Sequence, residues 1–455
     1  VQTKIENILD WLNKPIHAAP LTMFRVLFGL LMAFNTVRFW YFGWIQNHFV
    51  DPSFHFTYFG FDWIKPLSEA WMYGLHVLAF LAAIGIMLGF FYRLSALLFF
   101  LLFTYFELID LTYYLNHYYF ISLVSGLIIF MPLHRYFSLD VRLGRVEETD
   151  QLPRWPLLLV QFQIATVYIF AGLAKMNYDW LFQGLPLRIW LPADSGLPII
   201  GWMFKYPETA YLFSWIGMLF DTFIVFFLLN RFTRPAAYVV VVVFHTITGI
   251  LFQIGVFPLV MSLLVLVFFS ESWHQKVLQR LQNVVYSILP AKQSESGSKT
   301  IDLPRLKKAG LFLVATYMLF QLTFPWRFIA YPGSMYWTEE AYRFGWRVML
   351  VEKAGTAQFF VRDGEDGREG EVYNREFLNP HQEKQMSFQP DMILQFAHFL
   401  EDHYKAQGMK DPIVRCEAWV TLNGRPGQLL FDPQLDLTEV RDSWAPKAWI
   451  NPQQR

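Results

Sequence analysis

Long apolar runs separated by short polar breaks fill the chain up to about residue 326. They fall at about 19–41, 69–91, 94–110, 118–133, 156–175, 207–229, 235–253, 255–270 and 308–326, each of roughly membrane-spanning length. This predicts about nine transmembrane helices, with 235–270 continuous enough to be divided in more than one way. Beyond about residue 334 the pattern changes and charges and turn residues return. FGWRVMLV (344–351) and TAQFFVRDG (356–364) read as strands, and the acidic, Gly-rich DGEDGREGE (363–371) holds a hairpin turn. PDMILQFAHFLEDHYKAQG (390–408) reads as an amphipathic helix with Ile393, Phe396, Ala397 and Leu400 inward. CEAWVTL and QLLFDP flank Asn423-Gly424, a second hairpin. The expected fold is therefore an α-helical polytopic membrane bundle with a small C-terminal α+β domain outside the membrane. Its predicted divisions are a bundle over 1–290, a polar linker over 291–307, a ninth span and exit over 308–333, and the α+β domain over 334–455.

One run differs from the rest. PLLLVQFQIATVYIFAGLAKMNYDW (156–180) is apolar for twenty residues, roughly 30 Å as a helix, and ends on Lys175, Asp179 and Trp180. Gln161, Tyr168, Gly172, Lys175 and Asp179 are spaced 7, 4, 3 and 4, which would stack them on one face of a continuous helix. A polar stripe closing on a lysine is costly against lipid, so this face is expected to point into the bundle.

Composition supports a membrane protein: 55% of residues are hydrophobic and only 16% charged, against about a quarter charged in soluble domains. Net charge is zero, which leaves no bulk electrostatic basis for nucleic acid as a partner. The sole cysteine, Cys416, excludes an intrachain disulfide. The first apolar run begins near Leu21 and is long enough to remain as a span, so no cleavable signal peptide is expected. Lys4 and Lys14, then Arg93, then Arg135, Arg142, Arg145 and Arg154, then Arg231 and Arg234 fall on alternate polar breaks, and the 271–308 region carries seven more basic residues. The intervening breaks are poor in them. This bias predicts a cytoplasmic N-terminus and an extracytoplasmic C-terminus. No His/Cys/carboxylate cluster has metal-ligand spacing, so no metal is expected, and there is no GxSxG, HExxH or Gly-rich phosphate loop.

The charge-derived topology brings unusual residues together. His117 falls in the turn between the third and fourth runs, Lys175 at the outer end of the fifth, His245 about 15 Å into the seventh and Gln253 near its outer edge. Each has an ordinary reading. Lys175 could snorkel to headgroups and pair with Asp179 four residues on. His117 could bond a turn carbonyl, and His245, set among valines, could tie two helices together. Trp180, with Tyr113, Tyr114, Tyr118 and Tyr119, could belong to an interfacial aromatic belt.

Several separated blocks occurring in order resemble the vitamin K-dependent γ-glutamyl carboxylase family, whose membrane region is the horizontally-transferred transmembrane (HTTM) domain. They are NHYYFISLVSGLIIFMPLHRYFSLD (116–140), YIFAGLAKMNYDW (168–180), FHTITGILFQIGVF (244–257), YWTEEAYRFGWRVMLVEK (336–353) and WVTLNGRPGQLLFDP (419–433). The resemblance implies a membrane-embedded enzyme that uses reduced vitamin K, a naphthohydroquinone, with O2 and CO2 as co-substrates and no metal. A lysine deprotonates the quinol, which reacts with O2. The strong base so formed takes a Cγ proton from a glutamate of a protein or peptide, the carbanion adds CO2, and the quinol leaves as its epoxide. By resemblance Lys175 is the base and His117 the functional histidine, with His245, Gln253, Tyr168, Trp180 and Asn116 around the cofactor. An aliphatic amine is a poor base at neutral pH unless an apolar setting favours its neutral form, so an uncharged amine in an oily outer-leaflet cavity is expected. A carboxylate beside it would oppose that, so Asp179 is expected to point elsewhere or to be otherwise engaged. Vertebrate members carry two lysines where this chain has Ala174-Lys175, a disulfide that cannot form here, and a longer propeptide-binding region. The departures suggest a bacterial homologue in the inner membrane. Three functions stay open: coupled epoxidation and carboxylation, quinol epoxidation or oxidation without carboxylation, and a non-enzymatic quinone- or lipid-binding scaffold.

Overall fold

The computed structural model describes residues 2–252, 254–288 and 305–454. An amphipathic helix α1 (Gln2–Asn13) precedes α2 (Ala19–Tyr41), α3 (Glu69–Leu88) and α4 (Tyr92–Ile109), which pack in sequence. The short α5 (Asn116–Ile128) follows. A two-stranded antiparallel pair, β1 (Pro15–His17) with β2 (Gln151–Pro153), ties the start of α2 to the start of α6 (Trp155–Ala174). Next come the one-and-a-half-turn α7 (Tyr178–Gln183), the long α8 (Pro207–Leu229) and α9 (Arg234–Leu251). After them lie α10 (Phe257–Leu264), α11 (Glu271–Ile288) and α12 (Lys308–Thr323).

Among the described residues, seven helices are long and apolar enough to cross a membrane, or eight if the pair bent by 115° at 269–270 counts as one span. The expectation of nine is thus corrected. The apolar stretch 118–133 is helical only to Ile128, thirteen residues in α5, roughly 20 Å, before turns that run into Pro132. The stretch 255–270 is eight residues of α-helix and a 3-10 turn that bends into the polar, amphipathic α11. Within the expected linker 291–307, residues 291–304 lie outside the described residues.

Beyond α12 the chain forms a four-stranded antiparallel sheet of order β4 (Glu369–Glu371), β3 (Lys353–Arg362), β5 (Ile413–Leu422), β6 (Gln428–Leu429). Helix α13 (Pro390–Ala406) packs on one face and buries Ile393, Phe396, Ala397 and Leu400, the four residues expected to point inward. Phe56, Tyr58 and Leu111 from the bundle's connecting loops share that core.

The expected strand at FGWRVMLV does not form. Residues 344–351 make an irregular strap in which Phe344, Trp346 and Met349 take left-handed backbone angles, φ 58°, 57° and 54°. Side chains from the bundle claim its backbone groups: the Phe344 N–H donates to the Tyr114 hydroxyl at 2.7 Å, and Asn116 Nδ2 donates to the Arg347 carbonyl at 2.7 Å. With these groups occupied, no neighbouring strand is needed to satisfy them.

Helices α6 and α8 make the close contact that positions the site. A Cβ added at Gly172 would lie 2.6 Å from the Thr222 backbone nitrogen and 2.4 Å from its hydroxyl. Gly172→Ala is therefore expected to cost about 1–3 kcal/mol through overpacking. Thermal unfolding in detergent should show the loss. Gly74→Ala, where nothing lies within 4 Å of the new methyl, should be neutral or slightly stabilising.

Candidate active site

Helix α6 ends at Ala174 with Lys175 as its C-cap. Asn177, in extended conformation, then caps α7 by accepting from the Trp180 N–H. The predicted single face through Asp179 is thereby broken, because Asp179 belongs to a new helix. The Lys175 side chain folds back along its own last turn and donates to the Ala171 carbonyl at 3.3 Å. Its Nζ also lies 2.8 Å from Asp221 Oδ2, an ion pair in which both residues are 6% exposed. The Trp180 ring centre is 5.3 Å from the ammonium position, and the indole N–H is committed to the Ser214 carbonyl.

Lys175 is therefore not the solitary amine expected from the sequence. Asp221 sits mid-helix in SWIGMLFDTFIVFF, and α8 presents it to α6 at the level set by the Gly172–Thr222 contact. A single carboxylate inside an apolar run was the available signal, since ionisable residues within spans face the bundle interior and need partners. Asp179 is engaged elsewhere. Arg425 grips both of its oxygens at 2.7 and 2.8 Å, and Asn423 Nδ2 adds a third bond at 2.8 Å.

Seven residues before Lys175 on the same helix, the Tyr168 hydroxyl is 2.8 Å from His245 Nε2 of α9. Phe220, Phe244 and Phe257 meet the His245 ring edge to face. The two polar pairs share one cavity, with Trp180, Trp190, Phe213, Phe252 and Met261 in its wall. Val348 and Met349 of the strap also line it. It encloses about 760 Å³ of empty space, part of it open to the exterior.

Of the residues singled out in the sequence, Lys175, His245, Tyr168 and Trp180 line this cavity. His117 is buried one ring away, stacked on Phe257 with centroids 5.5 Å apart, and its Nε2 has no hydrogen-bond partner. Asn116 does not reach the cavity; its amide holds the strap at Arg347. Gln253 lies outside the described residues. No group of three or more His, Cys, Asp or Glu among the described residues could hold a metal ion.

Fold and site together define a multi-pass helical membrane protein with a lysine–carboxylate pair sunk in an aromatic pocket beneath a small α+β domain. The family model of the HTTM domain matches residues 13–273, and that of the vitamin K-dependent gamma-carboxylase, lumenal domain, matches residues 306–455. The chain belongs to the vitamin K-dependent gamma-carboxylase family. No solved structure matches it.

The clasp of Asp179 by the β5–β6 turn joins the sheet domain to the segment directly after Lys175. Hydrogen bonds from Arg425 hold the Asp179 carboxyl below the usual aspartate range. A carboxyl with a depressed folded-state pKa contributes its stabilisation above the unfolded value and loses it as pH falls through the folded one. Docking of the turn should thus be constant from neutral pH down to about 5 and weaken only below the ordinary aspartate pKa of about 3.9. Asp179→Asn or Arg425→Ala should loosen it at every pH. Amide hydrogen exchange across 175–183 and 422–428 would register both effects, and a clasp that weakens on raising the pH would contradict them.

Proposed function

We propose that this chain couples oxygenation of a reduced naphthoquinone to CO2 addition at the γ-carbon of glutamate in a protein or peptide. The observation that carries the reading is the buried Lys175–Asp221 pair facing an aromatic-walled cavity in a member of this family. The residues fit a two-ring quinol: the walls of the cavity are mostly aromatic and aliphatic, and its polar groups are few. When bound, the reduced naphthoquinone supplies, with O2, the oxidation that makes a base strong enough to remove the glutamate Cγ proton.

The chain's own work begins with one proton. Lys175 and Asp221 carry no net charge as a pair, whether as ammonium and carboxylate or as amine and carboxylic acid. In either form the pair can take one proton from a ring hydroxyl and end as ammonium and carboxylic acid. Its new positive charge then faces the oxygen that lost the proton, in a setting where such attraction is strong. The aromatic walls hold the ring and keep out water that would quench a strong base. His117, one ring beyond the cavity wall, is assigned to the glutamate and CO2 step. The charge bias of the loops supports a cytoplasmic N-terminus, with the α+β domain and the cavity mouth on the opposite side.

Lys175→Ala and Asp221→Asn should each lower epoxide formation by about a hundredfold or more, the usual loss of a positioned proton acceptor. Chromatography of the quinone products measures it in purified, folded protein. Wild-type rates in Lys175→Ala would discard the assignment. A second reading, epoxidation without carboxylation, is favoured by the absence of His117 from the cavity wall. Labelled bicarbonate with a Glu-rich peptide separates the two, because only carboxylation fixes the label.

A further inference from the structure

The Lys175–Asp221 pair accounts for one of the two polar pairs that line the cavity. The Tyr168–His245 pair is left without a task. Tyr168 is 2% exposed, and the only hydrogen-bond partner of its hydroxyl among the described residues is His245 Nε2. If the imidazole donated through Nε2, the phenolic proton would be left buried without an acceptor, at the full desolvation cost of a hydroxyl. The phenol therefore donates to Nε2, which places the imidazole proton on Nδ1. His245 is itself 4% exposed, and its Nδ1 has no partner. An orphaned N–H in the wall of this cavity calls for an acceptor that arrives with the ligand.

We propose that His245 is a second binding group for the ring, its Nδ1–H donating to the ring oxygen remote from Lys175, with Tyr168 fixing the tautomer. A 1,4-naphthoquinone or its quinol carries two oxygens at opposite ends of one ring, and the cavity offers two polar pairs, Lys175–Asp221 and Tyr168–His245, each with one member on α6. An N–H donor favours carbonyl and anionic oxygens over hydroxyls, so His245 would bind the deprotonated ring more tightly than the neutral one. This rests on the naphthoquinone reading of the cavity and adds to it the group that holds the second oxygen. Tyr168 acts through His245 and is a positioning residue.

The test uses the full chain in detergent with 2-methyl-1,4-naphthoquinone. Binding is followed by equilibrium dialysis of the naphthoquinone against the protein, and hydrogen bonding by infrared difference spectra with each carbonyl carbon labelled in turn. In the wild type, the carbonyl away from Lys175 should be shifted to lower frequency. His245→Gln, whose amide reaches the Nε2 position but not Nδ1, should lose that shift and bind roughly tenfold more weakly, as should His245→Leu. His245→Asn, whose amide nitrogen falls near Nδ1, should keep both. Tyr168→Phe should split the band into shifted and unshifted components as the imidazole samples both tautomers. If His245→Gln matches the wild type in affinity and spectrum, the proposal is overturned while the reading of the cavity stands. If the wild-type protein does not bind the naphthoquinone, both fall.

Discussion

Neither Lys175 nor Asp221 could stay charged and alone at its place in the bundle, since isolating an ion from water costs several kcal/mol. Their mutual contact removes the net charge, but only if two helices bring them within 3 Å of each other, and that demand reaches back into the sequence. Helix α6 must carry a glycine where it crosses α8, because any Cβ at 172 would strike the Thr222 backbone. It must also end at Ala174, so that the lysine chain can fold back over its own last turn instead of extending toward headgroups. The tryptophan that follows covers the ammonium position, and its indole N–H is anchored to α8 as well. Buried pairs of this kind contribute little net stability. Their retention in a membrane bundle makes chemical sense when a proton has to be exchanged with something else in the same cavity.

The α+β domain is tied to this arrangement through backbone as much as side chains. Asn423 exchanges two hydrogen bonds with Glu352, the residue directly after the strap, and also donates to Asp179. Glu352 in turn accepts from the indole of Trp190, another cavity-lining residue, at 2.5 Å. The β5–β6 turn thus holds the end of the strap and the segment after Lys175 at once, and between these anchors Val348 and Met349 are held against the cavity. Three non-glycine residues in left-handed conformation across 344–349 mark this strap as strained, each at about 1–2 kcal/mol. Strain of that size persists only where surrounding contacts over-determine the backbone. The geometry makes the roof of the cavity a property of the sheet domain's position.

Much of the architecture was legible because a membrane leaves few options: long apolar runs read as spans, and period-two and period-3.6 patterns read as the sheet and helix of the C-terminal domain. What misled were features whose outcome depends on tertiary partners. The 118–133 run has the composition of a span, but its helix stops at Ile128 and the rest turns before Pro132. FGWRVMLV has the composition of a strand, yet Tyr114 and Asn116, more than two hundred residues earlier, take up its backbone groups. Asp221 is hidden in the sequence because Asp179, at the i+4 position from Lys175, is the carboxylate that helix spacing pairs with the lysine. Nothing local says that Arg425 will claim Asp179 and free the lysine for a carboxylate on another helix.

The polar stripe of α6 shows how one helical face can be read correctly and still conceal its content. Gln161, Tyr168, Gly172 and Lys175 do face other helices, as the cost of exposing them to lipid requires. Each does something different there. Gln161 donates to the Val267 carbonyl, where the chain leaves its helical run. Tyr168 hydrogen-bonds His245, Gly172 sets the distance to α8, and Lys175 meets Asp221. Periodicity assigns the direction of a side chain, but the partner is set by how far apart the helices pack and where each one ends. Both of those depended on small local details, a glycine at a crossing and an asparagine that starts a new helix, and together they turned a stripe of polar residues into two separate stations in one pocket.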